Sequence, residues 1–396
     1  MDNYLRFLFA FSLPIDSLYF FFGESGILLF QTFPVSLFFG ILIIFLNLKK
    51  MSIVFLDYRT LGLILLFAYL IVVFLINLLM SSLNFDLFFE SGLRQIFSFA
   101  LGIIYFLIFI LISKTEKKYF FSGVKLSIFV LFLVCSIQFF LLDSRAIGFS
   151  SEPSHLAIIL SCFMLPLAIY FRFSFLYLLM IFICLALSLS LSGFIFFSIV
   201  LTGIILSRFT VSNILVISFF IFLGGQFIIN SNSYQDYEGI QYLSTNIEII
   251  VSATEDLLYG SSFDIEQSAS ILDRYWSFIG PLAYSLEDIN IFGYGFGSDT
   301  IYWENIFERD IAANLAEVKA EGRPQISSHF SKLLLFGGFF GLSMFWFIFF
   351  LQFYNSDRKS IFFGLSIFVI SFFALAQFHL FLIYFWIAFI GNAYER

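Results

Sequence analysis

The sequence predicts an all-α polytopic membrane protein with about twelve transmembrane helices and one large external loop. Three observations predict it. The chain is 61% hydrophobic and only 12% charged, with a mean hydropathy of +0.99, more apolar surface than a soluble core needs. Its apolar residues come in continuous runs of about twenty, the length that carries an α-helix across a bilayer, and lack the period-two alternation of a membrane barrel. One polar stretch of about a hundred residues, 231–328, interrupts the runs and is far too long for a simple turn.

The expected spans lie near 5–22, 27–48, 60–82, 95–113, 119–142, 155–171, 174–190, 193–207, 212–230, 330–354, 361–376 and 379–392. Pro14 and Asp16 weaken the first, and the last two can form one long tilted helix, so the count is about eleven or twelve. The chain therefore divides into a bundle over 1–230 with the first nine spans, an external loop over 231–328, and the last two or three spans over 329–396. No small-residue cleavage site follows Arg6, so the N-terminus reads as the first span rather than a removed signal. Cys135, Cys162 and Cys184 fall inside spans, lack metal-ligand spacing, and read as apolar filler without a disulfide. The 64 phenylalanines make the helices bulky and indicate no function.

Basic residues set the orientation. Lys49, Lys50 and Arg59 share one connection, Lys114, Lys117 and Lys118 another, and Arg172, Arg208, Arg358 and Lys359 fall in further ones. Counted alternately, all of these lie on one side, which the positive-inside rule makes the cytoplasm, together with both termini. The loop 231–328 then faces the opposite side. It carries 16 acids against Arg274, Arg309, Lys319 and Arg323. Ile240, Leu243, Ile247, Val251 and Leu258, and later Phe307, Ile311, Leu315 and Val318, recur at helical spacing and predict short amphipathic helices. Between them, Gly293-Tyr-Gly295-Phe-Gly297 reads as an irregular turn, since no strand precedes it to make a nucleotide loop. No internal repeat is visible.

Polar chemistry concentrates where that outer side meets the spans. Arg145, Glu152 and His155 flank the entrance of the sixth span, Arg274 lies mid-loop in Asp273-Arg274-Tyr275-Trp276, and His329 opens the tenth span. An arginine fork binds phosphate oxygens in pairs and stays charged at any relevant pH. Glycosyl transfer from a lipid diphosphate needs the leaving group's charge stabilised and a base, Glu or His, for the acceptor hydroxyl. This residue set fits such chemistry without a metal or cofactor. Each residue also has a plain structural reading. Arg145 can be a snorkelling or loop charge, Glu152 a helix-start acid ahead of Pro153, Arg274 the partner of a neighbouring acid, and His329 an interfacial polar group. Mid-span charge is sparse, with Lys125 and Asp16 the main cases, which disfavours a transporter's central ionisable path.

In order along the chain, these pieces resemble the O-antigen polymerase (Wzy) family and the related O-antigen ligases. Gly148-Phe-Ser-Ser-Glu152-Pro153-Ser154-His-Leu-Ala157 is similar to the family's Glu-Pro-Ser segment opening a membrane helix. Ser188-Leu-Ser190-Leu-Ser192-Gly193 resembles the Ser-rich, Gly-bearing helix start that follows. Ile291-Phe-Gly293-Tyr-Gly295-Phe-Gly297 resembles its late-loop glycine turn, and Ser328-His329 through Gly341 its His-led span. The similarity covers roughly residues 140–345. The family's arginine beside the Ser-Gly pair is absent at Ser192-Gly193, and Arg274 matches by location and its Arg-Tyr-Trp setting.

The resemblance implies a polymerase of undecaprenyl-diphosphate-linked oligosaccharide units in lipopolysaccharide biosynthesis, at the periplasmic face of a bacterial inner membrane. Arg145 and Arg274 would hold the diphosphate. Glu152 would activate the acceptor hydroxyl or orient Arg145, and His329 would assist proton transfer or phosphate binding. Tyr294, Tyr302 and Trp303 are available to stack on sugar rings. The expected partners are the lipid-linked oligosaccharide, membrane lipids and a chain-length regulator protein, with no nucleic acid. An O-antigen ligase, transferring polymer to lipid A core, shares the architecture; the acidic loop favours the polymerase, because a ligase approaches a phosphate-rich acceptor. A polysaccharide flippase is the rival from another class.

Overall fold

The computed structural model describes residues 1–15, 34–80, 85–114, 117–142, 144–150, 153–190, 197–202, 290–299, 328–351 and 380–390, with 281, 284–286 and 302. These residues are mostly helical and include no strand. The principal helices are α1 (Asp2–Ser12), α2 (Val35–Leu46), α3 (Leu48–Phe55), α4 (Tyr58–Met80), α5 (Phe85–Ser113), α6 (Lys118–Leu141), α7 (Pro153–Ile159, continuing as Leu160–Met164 and Leu165–Tyr170), α8 (Phe175–Ser188), α9 (His329–Leu351) and α10 (Leu380–Ile390). Among the described residues, four helices are long and apolar enough to cross a membrane, or up to five if the bent pair α2–α3 is one span. The described residues are thus those of a mostly helical membrane protein. The expected spans near 193–207 (in part), 212–230 and 361–376 lie outside the described residues.

Helix ends follow local chemistry. The Asp57 carboxylate accepts the backbone N–H of Arg59 at 3.0 Å and so caps α4. Asn47 ends α2, and the chain bends by 97° into α3, which carries Lys49 and Lys50 sideways in place of the loop the sequence suggests.

At this end of the bundle several connections meet. Asp57 pairs with Arg59 at 2.7 Å and with Lys114 at 3.1 Å. The Arg59 guanidinium also donates to the carbonyls of Ile387 and Ala388 near the close of α10, where cations suit the helix dipole. Burial pushes the Asp57 carboxyl up, but the hydrogen bonds and charge of Arg59, with Lys114 behind them, prevail and hold it at about 2. Asn47 reaches Asp2, which pairs with the buried Arg6. Two of the basic connections that the sequence assigns to one side, those of Arg59 and Lys114, therefore meet at Asp57; Arg208, Arg358 and Lys359 lie outside the described residues.

The phenylalanines interlock. Phe385 of α10 lies 5.1 Å from Phe109, 6.0 Å from Phe120 and 4.9 Å from Phe163, ring centroid to centroid, tying α5, α6 and α7 together. Lipid is as apolar as these rings, so packing fit rather than escape from water gives the contacts their worth.

Helix α7 contains a π turn at Leu160–Met164, all of it buried. Pro166 lacks the N–H that would reach Cys162 in an α-helix. The orphaned Cys162 carbonyl instead accepts the Trp386 indole N–H at 2.8 Å. Trp386→Phe should therefore cost about 1–2 kcal/mol, the penalty of a buried carbonyl left unpaired. Thermal unfolding in detergent measures it, and the cost should shrink in a Pro166→Ala background, where an N–H is restored. Equal costs in both backgrounds would refute this account of the π turn.

Candidate functional site

Helix α9 is apolar after its first turn but not straight. Gly338 adopts φ 61° and ψ −163°, which breaks the helix into arms 329–337 and 339–351. The imidazole of His329 lies 5.4 Å from the ring of Phe345, centroid to centroid. A continuous helix would separate these positions by about 24 Å at 1.5 Å per residue. The two arms therefore fold back on one another, so this stretch, one of the four spans by length and composition, does not run straight through Gly338.

A helix broken inside a bundle leaves carbonyls at the end of one arm and N–H groups at the start of the next. The glycine-rich stretch 290–299 satisfies both. Tyr294 and Gly295 donate to the carbonyls of Leu335 and Phe336 at 2.8 and 2.9 Å, while Phe339 and Phe340 donate to the carbonyls of Asn290 and Ile291 at 3.3 and 2.9 Å. Asn290 Oδ1 accepts the N–H of Gly293 at 2.7 Å and shapes the turn. A Cβ on Gly293 would stand 2.4 Å from the Phe336 carbonyl oxygen, and one on Gly338 would stand 2.4 Å from the Gly293 nitrogen. Two glycines facing each other let the backbones touch. The irregular turn of the sequence is in fact the hydrogen-bonding complement of the break.

The same stretch reaches α4 and α5. The Tyr69 hydroxyl donates to Phe292 O at 2.7 Å, and Gln95 Oε1 accepts the Gly297 N–H at 2.6 Å. Ser91 Oγ donates to Asp299 Oδ1 at 3.0 Å, with Gln95 Nε2 donating to Ser91 at 3.3 Å. Ser328 caps the N-terminus of α9, accepting the Ser331 N–H at 3.3 Å. His329 is 4% exposed, and its Nε2 has no hydrogen-bond partner among the described residues. One turn on, Lys332 is 9% exposed. Asp299 and Arg94 are the charges that act on it, and it acts in turn on His329.

Tyr284 packs against both Tyr294, at 5.5 Å, and Tyr302, at 5.7 Å. Tyr302 is fully buried, so its ring faces protein, whereas Tyr294 is half-buried. Of the residues expected to stack on sugar, Tyr294 alone among the described ones presents itself. Trp303 lies outside the described residues.

Arg145 belongs to a second assembly. The amide of Gln138, buried in α6, clamps the segment after α6: its Oε1 accepts the N–H groups of Ile147 and Gly148 at 3.0 and 2.8 Å, and its Nε2 donates to Gly148 O at 3.1 Å. Ala146 N–H bonds Leu187 O, and Arg145 Nη2 donates to Leu189 O at 3.0 Å, at the left-handed residue that ends α8. A guanidinium carries five N–H donors, so closing a helix end leaves its phosphate chemistry possible. Glu152 and Arg274 lie outside the described residues, as does any meeting of Arg145 with Arg274.

No protein-family model and no curated protein matches this chain. The site is therefore argued from its residues. No group of three or more metal-ligating side chains occurs among the described residues. Lys332, Arg94 and Asp299 are the additions that sequence reasoning missed. Lys332 stands three positions after His329 on the same helix face, a spacing that places both beside one ligand, but a single lysine at the head of an apolar run disappears into the run. Arg94 sits just before the expected span at 95–113, and α5 begins a full ten residues earlier than that, at Phe85.

Proposed function

We propose that this chain is a glycosyltransferase of the O-antigen polymerase type, joining undecaprenyl-diphosphate-linked oligosaccharide units at the periplasmic face of a bacterial inner membrane. About twelve spans, cytoplasmic termini and a periplasmic loop over 231–328 complete the architecture. One observation carries the reading: the glycine turn and the His329 segment, separate motifs of the resemblance, are hydrogen-bonded into one assembly.

In the reaction, the bond between the growing glycan's anomeric carbon and the lipid diphosphate breaks, and the acceptor unit's hydroxyl oxygen forms a new bond to that carbon. The hydroxyl proton passes to a base and the lipid diphosphate leaves. Arg145 and Arg274 hold the diphosphate and offset its charge. Glu152 takes the proton or orients Arg145, and the buried His329 assists proton transfer or phosphate binding. Tyr294 offers a sugar-stacking ring. The reaction uses no metal.

Deletion of the gene followed by lipopolysaccharide gels tests this. Core plus one repeat supports the polymerase. Core alone with polymer stranded on its carrier indicates the ligase, and absence of any periplasmic intermediate indicates a flippase. Arg145→Ala, Arg274→Ala and His329→Ala should each collapse the polymer ladder, and normal long chains from both arginine variants would sink the assignment.

A further inference from the structure

We infer that His329, Lys332 and Arg94 form a site for a phosphoryl anion at the N-terminus of α9. The inference deepens the polymerase reading and rests on it only for the identity of the ligand. Its basis is a mismatch between burial and partners. Lys332 lies in an apolar helix at 9% exposure, yet its ammonium makes no hydrogen bond or ion pair among the described residues. Asp299, the carboxylate that acts on it, is outside ion-pair distance and is held by Ser91.

An ammonium has three donors and a large desolvation cost, which only good acceptors offset. One turn before it, the buried Nε2 of His329 also has no partner among the described residues. Arg94, exposed on α5, adds a second cation, and the Ser328-capped helix start adds the positive end of a dipole. Two cations, an unpartnered imidazole nitrogen and a helix N-terminus stand against a single half-buried carboxylate. A phosphoryl group brings the several acceptor oxygens this geometry lacks, while one oxygen of Asp299 is already engaged by Ser91.

The same chemistry can come from a lipid-linked diphosphate, a membrane phospholipid or free pyrophosphate. The test uses the full chain in nanodiscs, with inorganic pyrophosphate as the probe and binding read by calorimetry. The wild type should bind saturably. Lys332→Met, close in volume, should weaken binding about tenfold, the usual scale for a lost charge-assisted contact. Arg94→Gln, an exposed change that leaves packing intact, should weaken it several-fold. Lys332→Met should also melt at or above the wild-type temperature, because it removes a buried charge without an internal partner.

Absence of saturable binding, or unchanged binding in both variants, overturns the proposal. So does a lowered melting temperature in Lys332→Met with binding intact, which would make Lys332 a structural partner of Asp299. Competition by a polyprenyl diphosphate assigns the carrier's headgroup, competition by phosphatidylglycerol alone assigns membrane phospholipid, and competition by neither assigns free pyrophosphate. Lys332-dependent binding in a protein whose deletion leaves the polysaccharide ladder unchanged would remove the polymerase reading and keep the site.

Discussion

Gly338→Ala is expected to abolish the folded state, whereas Gly341→Ala, one turn further along α9, should leave stability nearly unchanged. At Gly338 the backbone is left-handed, with φ 61°, and an added Cβ would stand 2.4 Å from Gly293 N and 2.4 Å from Ile291 O. Both obstacles are backbone atoms of the turn that satisfies the break, so neither can swing away. Strain at φ and loss of the docked turn together cost about 4 kcal/mol or more, the exceptional end of single-residue effects. At Gly341 the nearest atom is Tyr69 Cε1 at 3.3 Å, a ring edge that shifts by tenths of an ångström. The helix propensity gained there, up to about 1 kcal/mol, offsets that shift. Size-exclusion profiles and thermal unfolding of the two variants decide the matter. Equal melting temperatures would mean that α9 does not depend on its contact with Gly293.

Periodicity and hydropathy reveal elements that bury themselves uniformly, and they miss elements whose polar groups are satisfied from elsewhere. The helices near 60–82, 119–142, 155–171 and 174–190 follow the apolar runs because nearly all their backbone hydrogen bonds are internal, the Cys162 carbonyl being the exception within a run. The break at Gly338 is invisible by that criterion. Leu333–Phe336 and Phe339–Gly341 form one unbroken apolar run, and the partner that makes a break tolerable lies some forty residues earlier, at Asn290–Gly295. Hydropathy cannot see a bond between two segments, although the facing glycines Gly293 and Gly338 are its residue-level trace.

Lys332 escaped for a related reason: one charge among many apolar neighbours barely changes a window average, yet in lipid it decides what the helix must face. The site was legible as a list of residue types, with Arg145, His329 and the tyrosines in view. It was not legible as a grouping, because Tyr302 turns inward onto Tyr284 and Arg145 is committed in part to the end of α8. Burial and carbonyl capping are tertiary facts with no local signal.

Gln138→Met should destabilise the protein by about 3 kcal/mol, from three backbone groups left unpaired at roughly 1 kcal/mol each. The replacement keeps the side-chain volume inside α6, so the loss isolates the amide. Gln138 is 1% exposed, so the groups it satisfies are shielded from bulk solvent. Without the clamp, the N–H groups of Ile147 and Gly148 lose their acceptor, and hydrogen exchange at both should rise together. Unchanged melting with both amides still protected would show that the segment is held by its bonds to α8 alone.

The consequence for activity runs through Arg145, two positions before Ile147. Its bond to Leu189 O and the Ala146 bond to Leu187 O fix where the guanidinium points. Displacing a diphosphate-binding group by about 1 Å costs up to about a hundredfold in rate. If Arg145 serves the reaction as proposed, Gln138→Met shortens the polysaccharide ladder at temperatures where the variant is still folded. If Arg145 only closes α8, ladder and melting curve fail together. A ladder that shortens well below the melting temperature therefore separates a guanidinium that binds substrate from one that merely ends a helix.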